Sequence, residues 1–200
     1  SPNRLLFTRG GGAPPPPPPP PTGNVFFDDF ETNQGWTTNP NGTDTAATGQ
    51  WERGNPETTT SSGTKQLGTT VSGVNDLVTG RLAGSGVGSF DIDGGVTSIR
   101  SPAIALPSSG TLTLSFSYYL AHLNNSSSAD FLRVSVVGST TQQVFQEVGA
   151  GNDDDAVWAT ASVNVSSFAG QTVRILIEAA DAGGASLVEA AVDDVRIESQ

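Results

Sequence analysis

An all-β domain, an antiparallel β-sandwich of the jelly-roll kind preceded by a proline-rich linker, is what this 200-residue sequence predicts. Three observations carry the prediction. Apolar residues recur at period two in segment after segment, the spacing that buries one face of a strand. Clusters of Gly, Pro, Asn and Ser punctuate those segments at short intervals, and no long stretch shows the 3.6-residue period of a helix. Eight consecutive prolines, residues 14–21, precede the first such segment.

The elements follow in order. Residues 25–31 alternate, with Phe26 and Phe30 expected on one face. The stretch 37–88 is long and polar, so extended loops with short strands are expected there, and loops of that length call for a binding role. Strands are expected at 97–104 and 111–120; in the second, Leu112, Leu114, Phe116, Tyr118 and Leu120 mark a half-buried strand. Further strands are read at 131–137, 143–148, 156–165, 173–179 and 187–198. Eight to ten strands in one continuous stretch fit a sandwich better than any helical layer architecture.

The proline run cannot form helix hydrogen bonds and makes a stiff polyproline rod of ~3.1 Å per residue, or ~25 Å in all. It separates residues 1–9, read as the end of an upstream domain, from a module spanning 24–200, with 10–23 as the linker. The module is long enough to bury a core of its own. Hydrophobic residues at 35% are too many for a disordered chain. With no cysteine, disulfides, iron–sulfur clusters, cysteine nucleophiles and thiolate zinc sites are excluded.

Charge narrows the partners. The chain holds nine basic and twenty acidic residues; Arg4 and Arg9 precede the rod, so the module carries seven against twenty, a net −13. Such a surface repels nucleic acid and anionic membranes and suits hard cations. No run of about 20 apolar residues, the length of a membrane span, occurs. A monomer is expected.

Two chemistries compete. His122 is the single histidine, no serine stands in a Gly-x-Ser-x-Gly turn, and His122 reads as structural. Calcium has better support. Carboxylates gather at Asp28, Asp29 and Glu31 in the first strand, at Asp91 and Asp93 in a glycine-rich loop, and at Asp193 and Asp194 in the last strand. Ca²⁺ takes six to eight oxygens, and first and last strands of a jelly roll can be neighbours. Alternation places Ala191, Asp193, Val195 and Ile197 on one face, so Asp193 is expected to point inward and to need a partner. Asp153, Asp154 and Asp155 lack calcium-loop spacing and read as solvated. Trp36, Trp51 and Trp158 are expected in the core; a sugar-stacking platform, with Tyr118 and Tyr119 as further members, is the alternative.

Seven short motifs in order resemble MAM domains and related bacterial jelly-roll modules: Asp29-Phe30-Glu31, Gly35-Trp36, Trp51-Glu52-Arg53-Gly54, Arg100-Ser101-Pro102, Leu114-Ser115-Phe116-Ser117-Tyr118, Trp158, and Ala191-Val192-Asp193-Asp194-Val195. The family's cysteines are missing, which favours the bacterial relatives. The resemblance implies a non-catalytic module on a secreted enzyme, with a structural Ca²⁺ at Glu31 (or Asp29) and Asp193; Asp91 and Asp93 are added from local chemistry. The stub Ser1-Pro2-Asn3-Arg4-Leu5-Leu6-Phe7 resembles the last strand of subtilisin-like, proteinase K-like serine proteases. That implies an upstream catalytic domain as partner, a protein or glycan as target, and a secreted, extracellular, bacterial setting. A zinc carboxypeptidase or other metallopeptidase is the competing parent, and an independent carbohydrate-binding module the competing function.

Overall fold

The computed structural model describes residues 23–200. The stub and nearly all of the linker lie outside the described residues. Fourteen strands follow in order: β1 (Gly23–Asp28), β2 (Thr37–Thr38), β3 (Trp51–Gly54), β4 (Thr59–Thr60), β5 (Thr64–Gln66), β6 (Asp76–Thr79), β7 (Gly95–Arg100), β8 (Ile104–Ala105), β9 (Leu112–His122), β10 (Phe131–Val137), β11 (Thr141–Val148), β12 (Ala159–Asn164), β13 (Thr172–Asp181) and β14 (Val188–Ser199). Every pairing among them is antiparallel, in two six-stranded sheets and a β4–β5 hairpin. The first sheet runs β12-β9-β14-β6-β3 with β1 also on β14; the second runs β11-β10-β13-β7-β2 with β8 also on β13.

The sandwich core is built by period-two faces. Leu112, Leu114, Phe116 and Leu120 of β9 and Ala190, Val192, Val195 and Ile197 of β14 pack across from Leu132, Val134 and Val136 of β10 and Val173, Ile175, Ile177 and Ala179 of β13. Burying each such Leu, Ile or Phe contributes about 1.5–3 kcal/mol relative to exposure, so this interface dominates the folding free energy. The expected strand 97–104 is split into β7 and β8 around Pro102, which has no N–H to give to a ladder.

Strand β9 departs from the half-buried expectation. Its reverse face is buried too: Tyr119 and Ala121 join Val78, Ala156 and Ala191 in a second cluster, with Leu67 and Trp158 packed on it. The stretch 37–88 supplies part of this cover: Leu67 follows β5, and the β4–β5 hairpin with its flanking loops forms a third layer over the first sheet, while β3 and β6 extend that sheet and β2 joins the second. The second sheet has no such cover: Arg133, Arg174, Leu176 and Glu178 stay partly open to solvent.

Candidate functional site

The last strand changes face in its middle. Register against β9 shifts between Asp193 and Arg196, and Asp194 has φ 50°, a left-handed conformation that Asp tolerates better than most residues. One extra residue inverts the alternation. Ala190 and Val192 face the inter-sheet core before the bulge, and Val195 and Ile197 after it. The expected common face of Ala191, Asp193, Val195 and Ile197 is thereby corrected: Asp193 shares a face with Ala191, away from the main core, and is buried beneath the covering layer.

The bulge falls where two partners of β14 meet. On that edge β6 pairs with Ala191 and Val192, whereas β1 pairs with Val195 to Ser199. Asp76 opens β6 beside Asp193, so two carboxylates meet at the gap, whereas Asp28, which closes β1 opposite Val195, lies on the inter-sheet side. Asp193 Oδ2 accepts from the amides of Val71 (2.8 Å) and Ser72 (3.2 Å), and its Oδ1 from the amide of Asp194 (2.7 Å). Ser72 Oγ donates to Asp194 Oδ1 at 2.7 Å. Asp28 accepts from the Phe30 amide at 2.9 Å and from Trp36 Nε1 at 2.8 Å. Asp76 is fully buried, and neither of its oxygens has a hydrogen-bond partner.

The electrostatics reflect this crowding. Burial, and then the charge of Asp193, push the Asp76 carboxyl up to about 8. Burial pushes Asp193 up to about 6 against its three amide donors, and it raises Asp28 as well. Two buried carboxylates without a cation between them repel, and Asp76 lacks even a donor. Hard oxygens, excess negative charge and unpaired buried lone pairs fit Ca²⁺. Among the described residues no three His, Cys, Asp or Glu side chains stand at ligand spacing around one point, so carbonyls and water would complete the shell.

The five residues read from the sequence do not form one site. Glu31 lies beside the bulge: its Oε1 accepts from the amides of Val74 (2.9 Å) and Asn75 (2.7 Å), and these bonds hold its carboxyl below the usual range. It anchors the 71–75 loop that also binds Asp193. Asp29 Oδ1 caps the amide of Glu31 at 3.2 Å, a local turn. Asp91 and Asp93 sit elsewhere, in the β6–β7 loop, where Ile92 N donates to Val188 O at 3.0 Å near the start of β14. Asp76 was missed, because it sits in a polar stretch with no local signal, and Asp28 is spent on Phe30 N and Trp36 Nε1.

The remaining expectations resolve clearly. His122 is buried, and its ring Nδ1 lies 3.1 Å from its neighbour Leu123 O, with no other side-chain hydrogen bond among the described residues. Trp51 is buried. Trp36 and Trp158 are half-buried, packed edge-on against Phe30 and Tyr119, and Tyr118 packs edge-on against Phe145. No tryptophan or tyrosine is left exposed as a stacking platform. Asp153 to Asp155 are exposed, as expected, but two of them also bind a cation: the fully buried Lys65 Nζ pairs with Asp153 (2.5 Å) and Asp155 (2.7 Å) and also donates to Asp154 O. A buried ammonium needs paired charge, and the loop supplies it.

The outer face of the second sheet holds a different group. With Leu132, Val134 and Val136 inward, Phe131 and Arg133 point out, as do Arg174, Leu176 and Glu178 of β13. Arg133 lies over the Phe131 ring at 4.5 Å, and its Nε donates to Glu178 at 2.9 Å. Arg100 of β7 stands beside Leu176. Three of the module's seven basic residues thus share one face of an acidic domain.

Comparison with solved structures places this geometry. The K1 cleaved adhesin domain of Lys-gingipain from Porphyromonas gingivalis W83 is 16% identical, covering 89% of this chain and 99% of that one, with TM-score 0.53. TmCBM61, solved with β-1,4-galactotriose, is 11% identical over 90% and 100% of the two chains, with TM-score 0.52. The C-terminal family 22 carbohydrate-binding module of Clostridium thermocellum Xyn10B is 11% identical over 88% and 93%, with TM-score 0.50. These likenesses are of fold. Among curated proteins no sequence matches. No helix among the described residues is long and apolar enough to cross a membrane. The model of the MAM domain, meprin/A5/mu, matches residues 29–200, and the chain belongs to that family.

Proposed function

We propose that this chain is a non-catalytic accessory module of a secreted, bacterial, subtilisin-like serine protease. One structural calcium ion is held at Asp76 and Asp193, with backbone carbonyls and water completing its shell and Glu31 beside them. The outer face of the second sheet engages a protein substrate or a cell-surface glycan. The uncovered sheet face bearing Arg100, Arg133 and Arg174 carries this reading, because it gathers positive charge in a module of net −13. The Lys-gingipain domains are adhesin domains by name, and TmCBM61 was solved with a bound galactotriose, which supports a binding role on this fold.

Bound calcium would offset the buried carboxylates and tie together β6 and β14. The proline rod then sets the distance between module and enzyme and raises the local concentration of catalyst at its target.

Sedimentation of the purified chain with insoluble protein particles and, separately, with polysaccharide particles tests the face. Binding to one class is expected, weakening with salt and falling about tenfold or more in the R133A/R174A variant, the loss of about 1.4 kcal/mol. Unchanged binding by that variant overturns the assignment; binding to polysaccharide alone favours an independent carbohydrate-binding module. An Asp, His and Ser triad encoded upstream of residue 1 identifies the parent as a serine protease, and zinc-ligand motifs there identify a metallopeptidase.

A further inference from the structure

A second group of carboxylates stands at the opposite end of the β14 ladder from the Asp193 bulge. Asp91 and Asp93 come from the β6–β7 loop, Asp181 from the end of β13, and Glu189 from β14. The loop is fixed there by the bond from Ile92 N to Val188 O and by Thr48 Oγ1, which donates to Asp91 O at 2.9 Å. Asp91 is only 3% exposed and Glu189 only 1%, yet Asp91 Oδ1 and Glu189 Oε2 have no hydrogen-bond partner. Two buried, unpartnered carboxylate oxygens in one neighbourhood are costly if left bare. The groups sense one another: burial and then Asp93 and Asp181 raise Asp91 to about 7, and Asp91 in turn raises Glu189.

No cation of the protein answers them. Among the described residues, Arg53 donates to Phe30 O and Lys65 pairs with Asp153 and Asp155. Arg81 pairs with Glu52, Arg133 with Glu178 and Arg196 with Glu198, while Arg174 donates to Ser101 O. Arg100 stands on the outer face of the second sheet. Space is available instead. Asp91 and Asp93 line an open cavity of about 260 Å³ with Gly88, Asn125 and Ser186, and Asp93 and Asp181 line a neighbouring one of about 460 Å³. Asn125 commits Nδ2 to Ala185 O at 3.0 Å, which leaves its amide oxygen available.

We infer that Asp91 and Glu189 hold a second hard divalent cation, with Asp93 and the Asn125 amide oxygen at the cavity mouth and water completing the shell. An all-oxygen, carboxylate-rich set without His or Cys, on a glycine-rich loop, suits calcium over the transition metals. Such an ion ties the β6–β7 loop to β14 and to the β13–β14 connection. It is separate from the ion assigned to Asp76 and Asp193.

Calcium binding to the chelator-stripped 200-residue chain, by equilibrium dialysis and calorimetry with CaCl₂ alone, tests this. Two ions per chain are expected, with one remaining in D91N/E189Q and the other in D76N/D193N. Both pairs of substitutions are near-isosteric and remove buried charge, so folding without calcium is retained; far-ultraviolet circular dichroism checks it. If D91N/E189Q binds as many ions as the wild type, the second site is refuted, and Asp91 and Glu189 share a proton instead. A wild-type stoichiometry of one that is lost in D76N/D193N also refutes it and leaves the first site standing. A stoichiometry of one that is lost in D91N/E189Q supports the second site and removes the first. Should D91N/E189Q fail to fold, the single variant D93N, at the cavity mouth, is expected to weaken one of the two binding events about tenfold; two unaltered events overturn the assignment.

Discussion

Asp76 sets a pH dependence whose sign depends on calcium. Its carboxyl titrates at about 8 in the folded protein against 3.8 for the ordinary side chain. Between those values the folded state keeps a proton that the unfolded chain has lost, so stability falls as pH rises. Between pH 5 and pH 8 about 3 pH units at about 1.4 kcal/mol each set a ceiling of about 4 kcal/mol, which relaxation and water entry reduce to about 1–3. In a domain of this size about 1 kcal/mol moves Tm by about 2–4 °C. In EDTA, the wild type is therefore expected to lose about 2–12 °C more than D76N between pH 5 and pH 8. Asp91 titrates in both proteins and cancels, so the difference between the two profiles reports Asp76 together with its coupling to Asp193. Saturating calcium favours the ionised form, so at pH 8 the wild type then becomes the more stable of the two. Scanning calorimetry at the two pH values, with EDTA and with CaCl₂, makes the measurement. Parallel profiles for wild type and D76N in EDTA would refute the reading of Asp76 as a buried, unpartnered acid.

Other outcomes follow from the same structure. Replacing Asp153 and Asp155 together by Asn strands the Lys65 ammonium and is expected to cost about 3–5 kcal/mol in urea unfolding, whereas K65M, which leaves two part-exposed carboxylates, costs less; equal costs would contradict the buried-cation account. Leu114→Ala empties a fully buried position between the sheets and should destabilise by about 2–5 kcal/mol, read from the shift in urea midpoint at constant slope. Gly80 has φ +64°, and a Cβ there would stand 2.0 Å from Phe90 O, a backbone atom. G80A is therefore expected to destabilise well beyond the roughly 1 kcal/mol of a φ penalty and to loosen the loop that carries Asp91, seen as faster proteolysis between β6 and β7.

Much of the architecture was legible because a strand's side chains alternate whatever its partners. The period-two apolar positions of β9, β10 and β13 are set locally, and they forecast the inward faces of both sheets. The polar stretch 37–88 was correctly read as loops and short strands. That it would fold back over Tyr119 and Ala121 was not legible, since nothing within it states which face it covers. The pairing of Asp153 and Asp155 with Lys65 was not legible for a similar reason: that partner is about ninety residues away in sequence.

The candidate site divides along the same line. Asp193 could be singled out from the sequence because a lone carboxylate in an apolar alternating run must be accommodated somewhere. Its true face could not, because the bulge at Asp194 exists only in the register with β9 and in the exchange of β6 for β1 along one edge. Asp76 has no local mark; its significance comes from meeting Asp193 across a ladder and lacking any donor. Composition and periodicity by themselves determined an acidic, cysteine-free, antiparallel sandwich preceded by a proline run, since charge, redox chemistry and alternation are properties of the chain. Only the tertiary structure divided the acids into two groups at separate positions along β14 and gathered Arg100, Arg133 and Arg174 onto one open face. Which charges become neighbours depends on strand order and register, and those arise from long-range pairing.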